Sequence, residues 1–155
     1  MGRNSVREKV EAPSKEADLY CWTRRQAELL RAGRLDEIDP AGIAEEIDDV
    51  GEEQYDKLES ELRVVMLLKW DHQPDKWSQS WTLSIREHRR RALRQLRRNP
   101  GLKARLDEAM TEGYADARDE AAMETGLALE IFPERRPFDY AELMERPIGW
   151  PGDEI

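Results

Sequence analysis

The sequence predicts an all-α protein: an antiparallel bundle of about four main helices, followed by a short C-terminal helix and an irregular tail. Three observations predict it. Charged residues make up 38% of the 155-residue chain and hydrophobic residues 39%; a charged share so far above the usual quarter suits long helices with solvated faces. Apolar residues recur at helical spacing, and no useful stretch alternates with the period of a strand. Most prolines and glycines stand at the ends of the periodic segments, where helices start and stop.

A chain of this length suits one domain. Residues 1–16 read as a flexible polar arm, 17–146 as the helical bundle and 147–155 as the tail. The first helix runs from about Asp18 to Ala32, with Gly33 as its C-terminal cap. Asp39 followed by Pro40 is an N-cap with proline at the first helical position, and it opens a long second helix to about Trp70. DHQPDKWSQS turns the chain and places His72 in a loop. A third helix covers about Trp81 to Arg98. Asn99 and Pro100 repeat the cap signal and open a fourth, which ends at Gly126. LALEIFPERRPF is a loop, Asp139 to Glu145 a short helix, and RPIGWPGDEI irregular.

Helical phase, at about 100° per residue, sorts the side chains. In the second helix Ile43, Ile47, Val50, Leu58, Leu62 and Val65 share a stripe, with Gly51 inside it as if at a close helix crossing. In the third, Trp81, Ile85, Ala92 and Leu96 set the core direction. In the fourth, Leu102, Leu106, Ala109, Ala117 and Ala121 point inward, with Tyr114 at the edge. Four charged groups fall in or near these inward arcs: Glu61, Arg89, Glu120 and Glu124. A buried unpaired charge is costly, so a structural ion network between helices is expected, with a carboxylate metal or substrate site as the alternative.

The stretch SIREHRRRALRQLRRNP holds seven arginines. Acidic helices bracket it. From Asp36 to Glu61 twelve acids stand against Lys57, and from Leu106 to Glu124 seven stand against Arg118. Those flanks can neutralise Arg86 and Arg91. Arg90, Arg94, Arg97 and Arg98 on the outer arc remain a candidate contact strip for a partner.

Other classes are narrowed. The net charge of −9 argues against a wholly nucleic-acid-binding domain. A lone Cys21 excludes an internal disulfide and suits a reducing cytoplasm. The N-terminus has no apolar signal-peptide core, and no stretch approaches a membrane span. His72, His88 and Cys21 cannot complete a usual zinc site without carboxylates. Cys21 has no identifiable base to make it a nucleophile. Trp70, Trp77 and Trp81 read as closing a helical hairpin rather than as a stacking platform. Glu45, Glu46 and Asp49 are a candidate metal set. They are similar to the EExxE carboxylates with which helical nucleotide pyrophosphohydrolases hold Mg²⁺ against phosphates, with Asp49 in the last position.

LYCWTRRQAELLRAGRLDEID, AEEIDDVG, LLKW, SWTLSIREHRRR, YADARDEAAMETGL and IFP occur in this order. Together, from Asp18 to Leu143, they resemble the bacterial family known as domain of unknown function 29. The matching motif positions are Trp22, Glu45, Glu46, Gly51, Trp70, Trp81, Arg118, Glu124 and Gly126. The resemblance implies an all-helical, soluble bacterial protein. It implies no established activity, so it carries no catalytic residues to this chain. The expected function is a non-catalytic protein-interaction or adaptor module, with an unidentified protein partner or a second copy of itself. Two alternatives stay open. One is a Mg²⁺-dependent hydrolase of a nucleotide or phosphate compound using inward carboxylates. The other is nucleic-acid binding through the arginine-rich third helix. No cofactor is expected beyond the Mg²⁺ of the first alternative, and no membrane.

Overall fold

The structure, a computed structural model, describes residues 13–63 and 65–148. The polar arm over residues 1–12 and the tail from residue 149 lie outside the described residues, as do the side chains of Val65 and Met66. Among the described residues six α-helices follow one another: α1 (Leu19–Arg31), α2 (Pro40–Leu62), α3 (Val65–His72), α4 (Gln79–Arg98), α5 (Leu106–Thr125) and α6 (Tyr140–Glu145). Short 3-10 turns occupy Pro74–Lys76, Pro100–Arg105 and Leu129–Ile131. No strand occurs among the described residues. The fold is all-α, with four long helices and a short C-terminal one.

Local chemistry sets most boundaries. The side chain of Asp18 accepts the Cys21 amide at 2.9 Å, and that of Asp39 accepts the Gly42 amide at 3.0 Å. Asp139 does the same for Glu142 at 2.8 Å. Each satisfies an amide that a helix start leaves open. Gly126 ends α5 with φ at 70°, the left-handed geometry that glycine adopts without strain. Two boundaries outside the second helix differ from expectation. Residues 100–105 form a 3-10 turn before α5 begins at Leu106. His72 closes α3 rather than lying in a loop; its Nδ1 is 2.9 Å from the Leu68 carbonyl and its ring packs on Phe132.

The chain forms two units, Met1–Gly51 and Glu52–Ile155. In the first, α1 and the start of α2 make an antiparallel hairpin. The Asp39 amide donates to the Gln26 side chain at 2.8 Å, and Trp22 lies buried beside Gly42. Lys15 reaches across to Glu45 and to Glu46, the latter at 2.9 Å. The buried apolar side chains of this unit are Trp22 and Leu29. Ile47 and Val50, expected in the core stripe, are instead 65% and 59% exposed, because the apolar cover from α1 ends near Ile43.

In the second unit, the end of α2, then α4, then α5 alternate in direction. Gln54 meets Gln95 and Glu61 meets His88, so α2 and α4 are antiparallel. Tyr55 meets Glu112 and Arg63 meets Glu120, so α2 and α5 run parallel. Leu58, Leu62, Leu67, Leu68, Ile85, Ala92, Ala117 and Ala121 fill the centre. Tyr114 is buried rather than at the edge, and its hydroxyl donates to the Pro133 carbonyl at 2.6 Å. Phe132 and Phe138, from the expected loop, also enter the core.

The expected long second helix is broken at Arg63 into α2 and α3. Its amide turns to the Ser60 carbonyl at 3.4 Å, one residue short of helical spacing. Its guanidinium contacts Glu59 at 3.2 Å and spans to α5, meeting Asp116 at 2.8 Å and Glu120 at 3.0 Å. Three carboxylates on two helices thus hold the break.

The close crossing expected at Gly51 is absent: a methyl group there would meet no atom within 4 Å. Gly51→Ala is therefore expected to stabilise the protein by about 0.5–1 kcal/mol, the ordinary helix gain of alanine over glycine. A rightward shift of the urea midpoint would show it; a leftward shift would refute the open environment.

Candidate functional site

Two polar links cross from α2 to α4. The Gln95 amide nitrogen donates to the Gln54 carbonyl at 2.9 Å and to its side-chain oxygen at 3.1 Å. About two turns away, His88 Nδ1 lies 2.8 Å from Glu61. Alongside these links is an open groove of about 200 Å³. Lys57 and Glu61 line it from α2; Arg91, Arg94, Gln95 and Arg98 line it from α4. Four cations thus stand against one carboxylate on the surface of a protein whose net charge is −9.

The arginines of α4 are not equivalent. Arg90 and Arg91 are held by Glu87 within the helix, Arg91 at 2.7 Å, and Arg91 also lies 3.9 Å from Glu61. Lys57 has a loose 3.4 Å contact with Glu53. Arg94, Arg97 and Arg98 make no ion pair among the described residues, and all three are exposed. Of the expected contact strip, Arg94 and Arg98 face the groove, Arg97 stands outside it, and Arg90 is engaged by Glu87. Guanidinium groups left this way present planar forks of N–H donors, which match carboxylate or phosphate oxygens.

The model of the domain of unknown function DUF29 matches residues 15–147. The chain belongs to the DUF29 family. The DUF29 match runs through every helix and so contains the groove. No curated protein and no solved structure matches the chain.

Several DUF29 motif residues prove to be architectural. Arg118 donates from Nε to the Phe132 carbonyl at 3.0 Å and from a terminal nitrogen to the Leu129 carbonyl at 3.3 Å, pinning the loop after α5. Lys69 is clamped between Glu124 at 2.7 Å and the Trp81 ring at 4.8 Å, while Trp70 and Trp77 meet edge to face. The tryptophans close the hairpin between α3 and α4, as their spacing suggested.

The four inward charges do not form one network. Arg89 donates to two backbone carbonyls at the end of α6, Leu143 at 2.8 Å and Arg146 at 2.9 Å. Glu61 takes His88, Glu120 takes Arg63, and Glu124 takes Lys69. Their phase put them near the core, but each carboxylate sits on the rim, where a different base reaches it first. Burial, and then the neighbouring Arg146, pull the Arg89 guanidinium below its ordinary pKa. Of the candidate metal residues, Glu45 and Glu46 share Lys15, and Asp49 is exposed. Among the described residues no three His, Cys, Asp or Glu side chains are grouped so as to hold a metal ion. No helix among them is long and apolar enough to cross a membrane.

Lys57 and Gln95 are the groove residues that helical phasing does not single out. A signal was present beside them in Gln54, a polar residue inside an apolar stripe, which receives the Gln95 amide. A wide depression of about 660 Å³ also lies between α5 and the 134–139 loop, walled by Tyr114 and Phe138; Arg136 there is committed to Asp107 and to the Phe138 carbonyl at 2.9 Å.

Proposed function

We propose that this DUF29 protein is a non-catalytic interaction module of the cytoplasm that binds an acidic partner protein through the basic face of α4. One observation carries the reading: Arg94, Arg97 and Arg98 stay without ion pairs among the described residues, in a protein with acids to spare. The neighbouring Arg90 and Arg91 take the carboxylate of Glu87. Lone cations concentrated on one short helical face favour an external anion. Their charge is also wasted on folding, because like charges one turn apart destabilise a helix.

The test is a fluorescence-anisotropy titration with a labelled glutamate-rich peptide. Binding is expected to weaken by about tenfold from low to physiological salt, as exposed charges are screened. Replacing Arg94, Arg97 and Arg98 together by glutamine is expected to abolish it while leaving the circular-dichroism spectrum intact. Salt-independent binding, or binding untouched by the triple variant, would refute the assignment. Tighter binding of a single-stranded oligonucleotide of equal charge would transfer the strip to nucleic acid. Saturable turnover of any nucleotide, lost in Glu124→Ala, would overturn the non-catalytic part.

A further inference from the structure

The groove between α2 and α4 has a shape and charge that go beyond a general attraction for acids. We infer that it is a subsite for one phosphate monoester, carried on a phosphorylated side chain of the partner protein. This rests on the acidic-partner reading above and sharpens it.

Size is the first argument. At about 200 Å³ the groove falls below the roughly 300–1,000 Å³ of sites that enclose a whole small molecule. It has the size of a single anionic head group. Charge is the second. Lys57 approaches from α2, and Arg91, Arg94 and Arg98 from α4, so cations stand on both walls against the single carboxylate of Glu61. Glu61 is itself occupied by His88 at 2.8 Å. A carboxylate brings one negative charge; a phosphate monoester brings nearly two and three acceptor oxygens. The second matches several N–H donors on facing walls better. The third argument is what flanks the groove. Glu53 and Asp56 are exposed on α2 beside Lys57, and Glu87 lies one turn before Arg91 on α4. These acids interrupt the basic surface, so it offers no continuous basic track of the kind a nucleic-acid backbone follows. They tolerate one anion seated among the cations.

The Gln54–Gln95 and Glu61–His88 links hold both walls at fixed separation. The backbones that carry the cations are therefore already placed, so capture requires only side-chain ordering.

Two short fluorescent peptides test the inference: one with phosphoserine among aspartates and glutamates, and one with glutamate in place of the phosphoserine. The phosphorylated peptide is expected to bind at least about tenfold more tightly. Arg94→Gln with Arg98→Gln is expected to erase that preference. Arg24→Gln with Arg25→Gln, equal in charge but on α1, is expected to keep it. Inorganic phosphate is expected to compete with the phosphopeptide more strongly than chloride at matched ionic strength. Equal affinity for the two peptides would overturn the phosphate subsite and leave the acidic-partner reading standing. Failure of both peptides to bind would overturn both. Preferential binding of a single-stranded oligonucleotide would overturn the monoester assignment in favour of a phosphodiester backbone.

Discussion

Arg89→Ala is expected to lower the unfolding free energy by about 2–4 kcal/mol, measured by urea denaturation. Its Nε and one terminal nitrogen donate to the carbonyls of Leu143 and Arg146, at 2.8 and 2.9 Å. Those carbonyls lie at the end of α6, where helix geometry leaves acceptors open and the backbone dipoles concentrate negative charge. Hydrogen bonds to a charged group contribute about 1.5–3 kcal/mol each. The sum is reduced by two opposing terms. Burial and the neighbouring Arg146 disfavour the charge, and the second terminal nitrogen of Arg89 is buried without a partner. The loss therefore falls below that of two free-standing charged bonds. The last helix should loosen first, so amide exchange in α6 is expected to rise before that of α5. Arg89→Lys should recover little, because a single ammonium cannot span both carbonyls as the guanidinium does. Arg94→Ala, on the exposed face of the same helix, is expected to change stability by about 0.5 kcal/mol or less. Equal, small effects at the two positions would show that Arg89 does not hold α6.

Gly113→Val is expected to cost about 2–3 kcal/mol by the same measurement. A Cβ atom at Gly113 would lie 3.0 Å from the Glu59 carbonyl oxygen, 3.2 Å from its side-chain oxygen and 3.4 Å from the Arg63 amide. The nearest of these is backbone, so a side-chain rotation cannot relieve the contact. The Arg63 bridges to Asp116 and Glu120 tie the same stretch of α2 to α5 and oppose separation. Overpacking of this kind costs roughly 1–3 kcal/mol, and the helix gain of valine over glycine returns only a few tenths. The contrast with Gly51 is direct: both are helical glycines, and the two substitutions are expected to move stability in opposite directions. An unchanged midpoint for Gly113→Val would mean that the helices part at no cost.

Much of this fold was legible because much of it is local. Asp39 caps α2, Asn99–Pro100 marks the stop of α4, and Gly126 ends α5, each through contacts a few residues long. The inward set of α4, Ile85, Ala92 and Leu96, was equally plain, since one amphipathic helix carries its own phase. Less legible were the features that need two elements at once. Gly51 and Gly113 look alike in sequence, and only the path of the α2 backbone past α5 separates them. Arg63 reads as one more surface cation in a long helix, but the acids of α5 gather around it at the break.

The candidate site divides in the same way. Helical phase singled out Arg94 and Arg98 as outward cations. It could not bring Lys57 opposite them, because that follows from the register of α2 on α4 set by Gln54, Gln95, Glu61 and His88. Arg89 was correctly turned inward, yet its partners are carbonyls 54 and 57 residues further along the chain. By itself, then, the sequence determined the all-α class, most of the helix ends and the outward arginines of α4, since these depend on neighbours within a turn or two. The tertiary structure alone decided which charges pair, where α2 breaks and where a groove opens. Those outcomes depend on the distance between groups far apart in the chain, and a Coulomb or hydrogen-bond partner is chosen by distance, not by residue type.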